Sequence, residues 1–261
     1  MKIKPVFFIL ALLLFTELHA QDYARPQPDQ YALPTEPGDK RFSMNISLGP
    51  AIPLGDYGST NVKGSFWDFT SSDSTRLQGF ARPGFNFTVS AAYLFPVNIG
   101  IMMMFGTSFN TFNINGLSSA IGRQAKTPSG SFSEYEYLIG PCFSLPISDK
   151  FNVNANILIG FVSAAYPEIS YPYNDTITLT TDFQSGSGFG YNFGANLEYN
   201  FSKSLAASFN VNYMGADIKY TGFTWTLSTP GYYPFVQDHP TDVLTMQTGI
   251  LKITVGVVLR L

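Results

Sequence analysis

The sequence predicts an all-β chain: an eight-stranded antiparallel up-and-down transmembrane β-barrel. Three observations carry this expectation. The first is residues 189–201, which alternate with a period of two. Phe189, Tyr191, Phe193, Ala195, Leu197, Tyr199 and Phe201 form one set; Gly190, Asn192, Gly194, Asn196, Glu198 and Asn200 form the other. Successive side chains of a strand point to opposite faces, so this strand lies between two unlike environments. Its apolar face has aromatic rings near both ends and smaller residues between, the arrangement of a strand crossing a bilayer. The second observation is composition. Charged residues are 13% of the chain and aromatic residues 16%, where soluble proteins carry roughly 25% charge. Mean hydropathy is near zero, too low for a bundle of membrane helices, yet natural for a barrel whose polar lumen dilutes its lipid face. The third is recurrence: seven more segments alternate in the same way, joined by connections that are short and long in turn.

In chain order, residues 1–20 are expected to be a cleaved signal peptide. Lys2 and Lys4 precede an apolar core at residues 6–15, and Ala20 is the small residue at the cut. That core is too short to span as a helix and suits a signal h-region. Net charge is −3; without Lys2, Lys4 and Glu17 it becomes −4. Residues 21–40 hold Pro26, Pro28, Pro34 and Pro37 with no apolar period, and are expected to form a disordered or extended periplasmic lead-in. The barrel is expected over residues 41–261.

The first strand sets Phe42, Met44, Ile46 and Leu48 outward against Ser43, Asn45, Ser47 and Gly49. The second sets Phe85, Phe87, Val89, Ala91, Tyr93 and Phe95 outward, and the third Ile99, Ile101, Met103 and Phe105. In the fourth, Tyr135, Tyr137, Ile139, Pro141, Phe143 and Leu145 face out, with Glu134, Glu136, Leu138 and Cys142 among the inward set. The fifth alternates from Phe151 to Phe161, and residues 189–201 are the sixth. The seventh sets Leu205, Ala207, Phe209, Val211 and Tyr213 outward; the eighth sets Leu251, Ile253, Val255, Val257, Leu259 and Leu261.

No outward position carries a charge. Glu134, Glu136, Glu198, Lys252 and Arg260 all fall on inward positions. A Lys or Arg facing lipid at mid-depth costs roughly 2–4 kcal/mol, whereas a lumen can pair or hydrate it. Pro141 removes a ladder donor and predicts a bulge or local break. Cys142 is the single cysteine, so no intrachain disulfide forms, and its inward position predicts a buried packing residue.

Residues 96–98, 146–150 and 202–204 are short turns; residues 54–83, 112–133, 166–188 and 216–248 are long connections. Short periplasmic turns and long outer loops fit a barrel with both termini in the periplasm. The long connections keep some alternation, at Ile177, Leu179 and Thr181 and again at residues 219–227. Residues 219–227 look like the seventh strand continuing, and these segments predict strands that project above the membrane as hairpins, chiefly the seventh with the eighth. A ten-strand barrel is the structural alternative, its extra hairpin drawn from residues 216–248.

These features resemble the small outer-membrane β-barrel family of the OmpA-barrel, OmpX and PorT-like kind. The resemblance covers residues 41–261 and rests on the leader, the eight strands, the stretch SLGPAIPLGDYGS and the terminal strand ILKITVGVVLRL. Leu261 stands where many members end in Phe. The resemblance implies a cell outer membrane location, contact with outer-membrane lipid, and recognition of the C-terminal strand by the barrel-assembly machinery. It implies roles in adhesion, anchoring, small pores or secretion, with no cofactor.

The remaining chemistry is sparse. His239 sits near Asp238 and Asp242, an acid and His grouping that resembles the rim of outer-membrane proteases. No recognisable nucleophile accompanies it, and the spacing is not that of a metal site; the chain reads as a non-enzyme without metal or cofactor. The candidate lumen polar network is Glu136, Glu198, Lys252 and Arg260, with Glu198 and Arg260 near the periplasmic end and Lys252 and Glu136 nearer the middle or outer half, expected to pair with one another and with asparagines. The candidate surface contacts are Trp67, Trp225, Tyr232 and Tyr233. Asp73-Ser74-Thr75 and Asp175-Thr176-Ile177 resemble an acceptor motif of a bacterial O-glycosylation system. No basic patch suggests nucleic acid. The function expected is structural or surface-interacting through protruding hairpins, toward a surface or secretion partner. The alternatives are a narrow channel for small or apolar solutes and, behind it, an outer-rim hydrolase.

Overall fold

The computed structural model describes residues 41–68, 75–126, 130–172, 174, 176–183 and 185–261. The leader, the proline-rich segment, and Asp73, Ser74 and Asp175 of the two acceptor-like motifs lie outside the described residues. The elements are β1 (Phe42–Leu54), β2 (Gly84–Leu94), β3 (Ile99–Thr111), α1 (Ile114–Ile121), β4 (Ser131–Pro146), β5 (Phe151–Ala165), β6 (Ile169–Pro172), β7 (Thr178–Phe183), β8 (Gly186–Asn200), β9 (Leu205–Ser228) and β10 (Phe235–Arg260).

Eight of these strands close a ring in the order β1, β2, β3, β4, β5, β8, β9, β10, with β10 pairing back onto β1. Every ring pairing is antiparallel. Closure leaves no open edge, the condition for a sheet to sit in hydrocarbon. Outside, Ile46, Ile101, Ile139, Ile157 and Val257 are exposed, while Met104, Leu138, Leu158 and Val258 are buried within.

β6 and β7 stand outside the ring. β7 pairs with the far part of β9, from Ser228 to Phe223, and β6 pairs with β7. Strands beyond eight therefore exist, but they come from the 166–188 connection. Residues 216–248 instead lengthen β9 and β10, which stay paired out to Leu227 and Phe235. These two strands continue as the projecting hairpin expected from residues 219–227, and their outward positions turn polar there, with Asp217 and Lys219 on β9 and Thr245 and Gln247 on β10. Such a stretch loses the apolar face that marks a membrane strand while keeping its ladder.

Two further differences have local causes. Pro141 breaks the ladder between β4 and β5, whose pairs step from Ile139↔Ile159 to Cys142↔Asn156 in unchanged register; the outcome is a break and no bulge. The bulge lies in β10 instead, between His239 and Val243. The 112–133 connection contains α1, too short to show a period. It is specified by its ends: Asn113 Oδ1 accepts from Gly116 N at 3.1 Å, and Gly122 adopts φ 66°, a left-handed cap that favours glycine.

Val255 tests the depth assignment, since it is 59% exposed and paired between Leu48 and Phe209. Val255→Arg is expected to lose about 2–4 kcal/mol of stability, whereas Tyr233→Arg, at a fully exposed outer position, should change it by less than about 0.5 kcal/mol. Urea unfolding from phospholipid vesicles measures both.

Candidate functional site

The lumen is filled in layers, and the outermost is an aromatic plug. The β1–β2 connection turns back at Gly55 and places Tyr57, Trp67, Leu77 and Phe80 in the barrel mouth, all essentially inaccessible to solvent. Backbone bonds strap it down: Leu77 N to Thr245 O at 2.8 Å, Gly79 N to Asp56 O at 3.0 Å and Ala81 N to Tyr57 O at 2.9 Å. Trp67 Nε1 donates to Tyr166 Oη at 3.2 Å, and Tyr166 Oη donates to Gln78 O at 2.8 Å. Tyr57 meets Phe132 edge-on at 5.2 Å, and Phe112 lies 5.7 Å from Phe80 and 5.6 Å from Phe132. Burying this much ring surface is what drives a connection into a lumen. Burial pushes the Tyr57 phenol well above its ordinary value, with nearby Glu134 adding to the shift. Burial also raises Tyr166, partly offset by the Trp67 bond.

Beneath the plug lie the charges. Glu134 is fully buried, opposite Ser108 on β3 and Ala164 on β5, with the Tyr57 phenol beside its carboxylate. Glu136 and Lys252 form an ion pair in which Nζ donates to both carboxylate oxygens; their side chains are 0% and 1% exposed. An apolar layer of Met104, Leu138 and Leu158 follows. Asparagines fill the next level: Asn192 Nδ2 donates to Asn156 Oδ1 at 2.9 Å, and Asn196 Nδ2 and Asn45 Nδ2 donate to Asn210 Oδ1 at 2.6 and 3.1 Å. At the far end Arg260 pairs with Glu198 and donates to Asn200 Oδ1 at 2.7 Å; Asn154 Nδ2 donates to Glu198 Oε1 at 2.7 Å.

The four candidate lumen residues therefore form two separate pairs. Lys252 and Arg260 share the inward face of β10 but stand roughly 26 Å apart, at about 3.3 Å per residue, so each pairs with its own acid. Among the surface candidates, Trp67 is corrected: it is 1% exposed and belongs to the plug. Trp225 is half-buried against Phe66 and Phe223. Tyr232 and Tyr233 are 79% and 100% exposed at the β9–β10 tip. Tyr57, Leu77, Phe80 and Tyr166 escaped the sequence reading. Their one signal was aromatic and leucine content in connections expected to be solvated.

His239 stacks on Phe223 at 4.7 Å and 12°, with Nδ1 3.0 Å from Asp242 Oδ2. Asp238 faces away and accepts from Thr224 Oγ1 at 2.9 Å. Among the described residues no three His, Cys, Asp or Glu side chains converge to hold a metal ion.

A closed ring, an apolar exterior and a polar, filled interior decide the class. The chain is a transmembrane β-barrel. No family model matches the sequence, and no curated protein sequence matches it. Solved structures with a similar chain trace include Neisserial surface protein A (13% identity, 86% of this chain and 99% of that one, TM-score 0.43). OprG from Pseudomonas aeruginosa is similar at 12% identity, over 86% of this chain and 99% of that one, with TM-score 0.42. A major outer membrane protein from Thermus thermophilus is similar at 12% identity, over 84% of this chain and 98% of that one, with TM-score 0.43. The assignment of class rests on this barrel's own closure and surface.

Two outcomes follow for the site. Lys252→Met strands Glu136 without its cation and should cost about 3–5 kcal/mol, most of it recovered in Lys252→Met/Glu136→Leu; urea unfolding of the single and double variants measures this. For the plug, Tyr57 and Tyr166 are acids with folded-state values above their unfolded ones. Their contribution is intact below about pH 10 and is lost as pH rises beyond it. The ultraviolet absorbance of phenolate should show a late-ionising class that titrates normally once the barrel is unfolded.

Proposed function

We propose that the protein is a closed, non-conducting barrel that displays a rigid outer sheet at the cell surface, where its hairpins contact a surface or secretion partner. The observation that supports this most is the filled lumen: the aromatic plug, the Glu136–Lys252 pair and the Met104 layer succeed one another along the axis. The same plug weighs against the narrow channel. The outer sheet offers the contact. Its strands β6, β7, β9 and β10 are paired edge to edge, and its tip exposes Tyr232, Tyr233 and Phe235. Apolar rings held out in water on a paired hairpin suit recognition of another surface.

A hydrolase reading has less support. His239 Nε2 is buried without a hydrogen-bond partner, and its ring is occupied in stacking, so it faces no nucleophile to activate. We further propose that β10, the strand that completes the ring, is the segment the barrel-assembly machinery reads.

Planar-bilayer recording of the refolded full chain is expected to be silent, and Trp67→Ala should admit intermittent conductance by loosening the plug. Steady conductance in the unaltered protein would replace this reading with the channel. A photo-crosslinking residue at Tyr233 in intact cells should yield a discrete adduct that is absent when the same residue replaces lipid-facing Phe143; no adduct at Tyr233 would remove the contact role.

A further inference from the structure

A groove of about 740 Å³ lies on the outer wall of the barrel, in a position that neither the plug nor the tip explains. Strand register builds it. At one level the outward positions of four neighbouring strands are Leu54 on β1, Gly249 on β10, Gly215 on β9 and Tyr191 on β8, each paired with the next. The two adjacent glycines carry no side chain of their own and lie buried beneath their neighbours, with Gly249 in the groove lining. A Cβ at Gly215 would come within 2.6 Å of the Tyr191 ring, and one at Gly249 within 3.3 Å of Tyr213 Oη. The tyrosines lean over the space the glycines vacate, with ring centroids 6.2 Å apart.

The depth of the row is set by what lies on either side. Toward the membrane centre the outward residues are Leu251 and Tyr213, then Ile253 and Val211. Away from it they are Gln247 and Asp217, then Thr245 and Lys219. The groove therefore straddles the boundary between hydrocarbon and headgroups, where aromatic residues anchor a barrel. Its volume is that of a small-molecule site, and its lining combines aromatic walls with a few polar groups.

We propose that this groove binds the saccharide headgroup of an outer-leaflet glycolipid, with the acyl chains continuing down the outer wall. The rim selects the chemistry. Asp217 only accepts hydrogen bonds, Lys219 only donates, and the Gln247 amide does both. Hydroxyls also do both, so a polyhydroxylated ring matches this mixed set. A phosphate only accepts, and it would meet the Asp217 carboxylate across the groove. The exposed faces of Phe189 and Tyr191 offer the flat apolar surface on which the CH face of a sugar packs.

The test uses the refolded full chain with digalactosyl diacylglycerol as the probe, against phosphatidylcholine and phosphatidylglycerol of the same acyl chains. Native mass spectrometry reads the lipid retained. The galactolipid is expected to be retained preferentially, and Asp217→Ala/Gln247→Ala to weaken retention by roughly tenfold, the loss of about two hydrogen bonds. Gly249→Leu, which fills the floor, should abolish it. Heat-dependent gel mobility confirms folding; if Gly249→Leu does not fold, the double variant decides, since both its side chains are exposed. Equal retention of phosphatidylcholine, stronger retention of phosphatidylglycerol, or a double variant that binds as the parent does would overturn the proposal.

Discussion

Everything in this molecule depends on the seam between β1 and β10. Ten residue pairs join them, from Ser43↔Arg260 to Leu54↔Gly249, and they turn a sheet with two raw edges into a ring. In hydrocarbon each unpaired backbone group costs several kcal/mol, so the seam is the condition on which the fold exists. Eight strands also set the bore. A ring of this size encloses a space that side chains can fill, and the interior is filled accordingly. The outer part takes rings supplied by a connection, the middle takes an ion pair and methionine, and the inner part takes asparagines that satisfy one another.

The charges inside follow from the same constraint. Glu136 and Lys252 are buried beyond the reach of solvent, where desolvation of either alone would be prohibitive. Their mutual contact offsets much of that penalty without making the pair a net source of stability. Such a pair ties the height of β4 to that of β10 across the bore. Glu134 lies one step outward, held beneath the plug beside the Tyr57 phenol. Plug and ion pair thus share a boundary, so the connection that seals the mouth also seals the charges beneath it.

Much of the barrel was legible because a membrane imposes a two-residue period. From Phe189 to Phe201 every outward residue is apolar, and the five strand charges named from the alternation all lie inward. Legibility weakened where the membrane ends. β9 beyond Tyr213 and β10 before Leu251 keep their pairing with polar outward residues; the alternation at residues 219–227 marked that continuation, but not where the strands end. The plug was hidden for a different reason. Tyr57, Trp67 and Phe80 are separated by polar and glycine residues in a connection with no repeat, and only three-dimensional closure reveals that they meet Phe112, Phe132 and Tyr166. Trp67 read as a surface residue because a loop tryptophan outside a membrane is ordinarily exposed or interfacial.

The most direct measurement of the central claim, a ring closed by its seam and sealed by its own first outer connection, is residue-resolved amide hydrogen exchange of the protein in lipid. The account predicts that Leu77, Gly79 and Ala81, whose amides are bonded to Thr245, Asp56 and Tyr57, exchange as slowly as the seam residues of β1 and β10. Exchange of those three amides at the rate of a solvated loop, with the seam still protected, would contradict it.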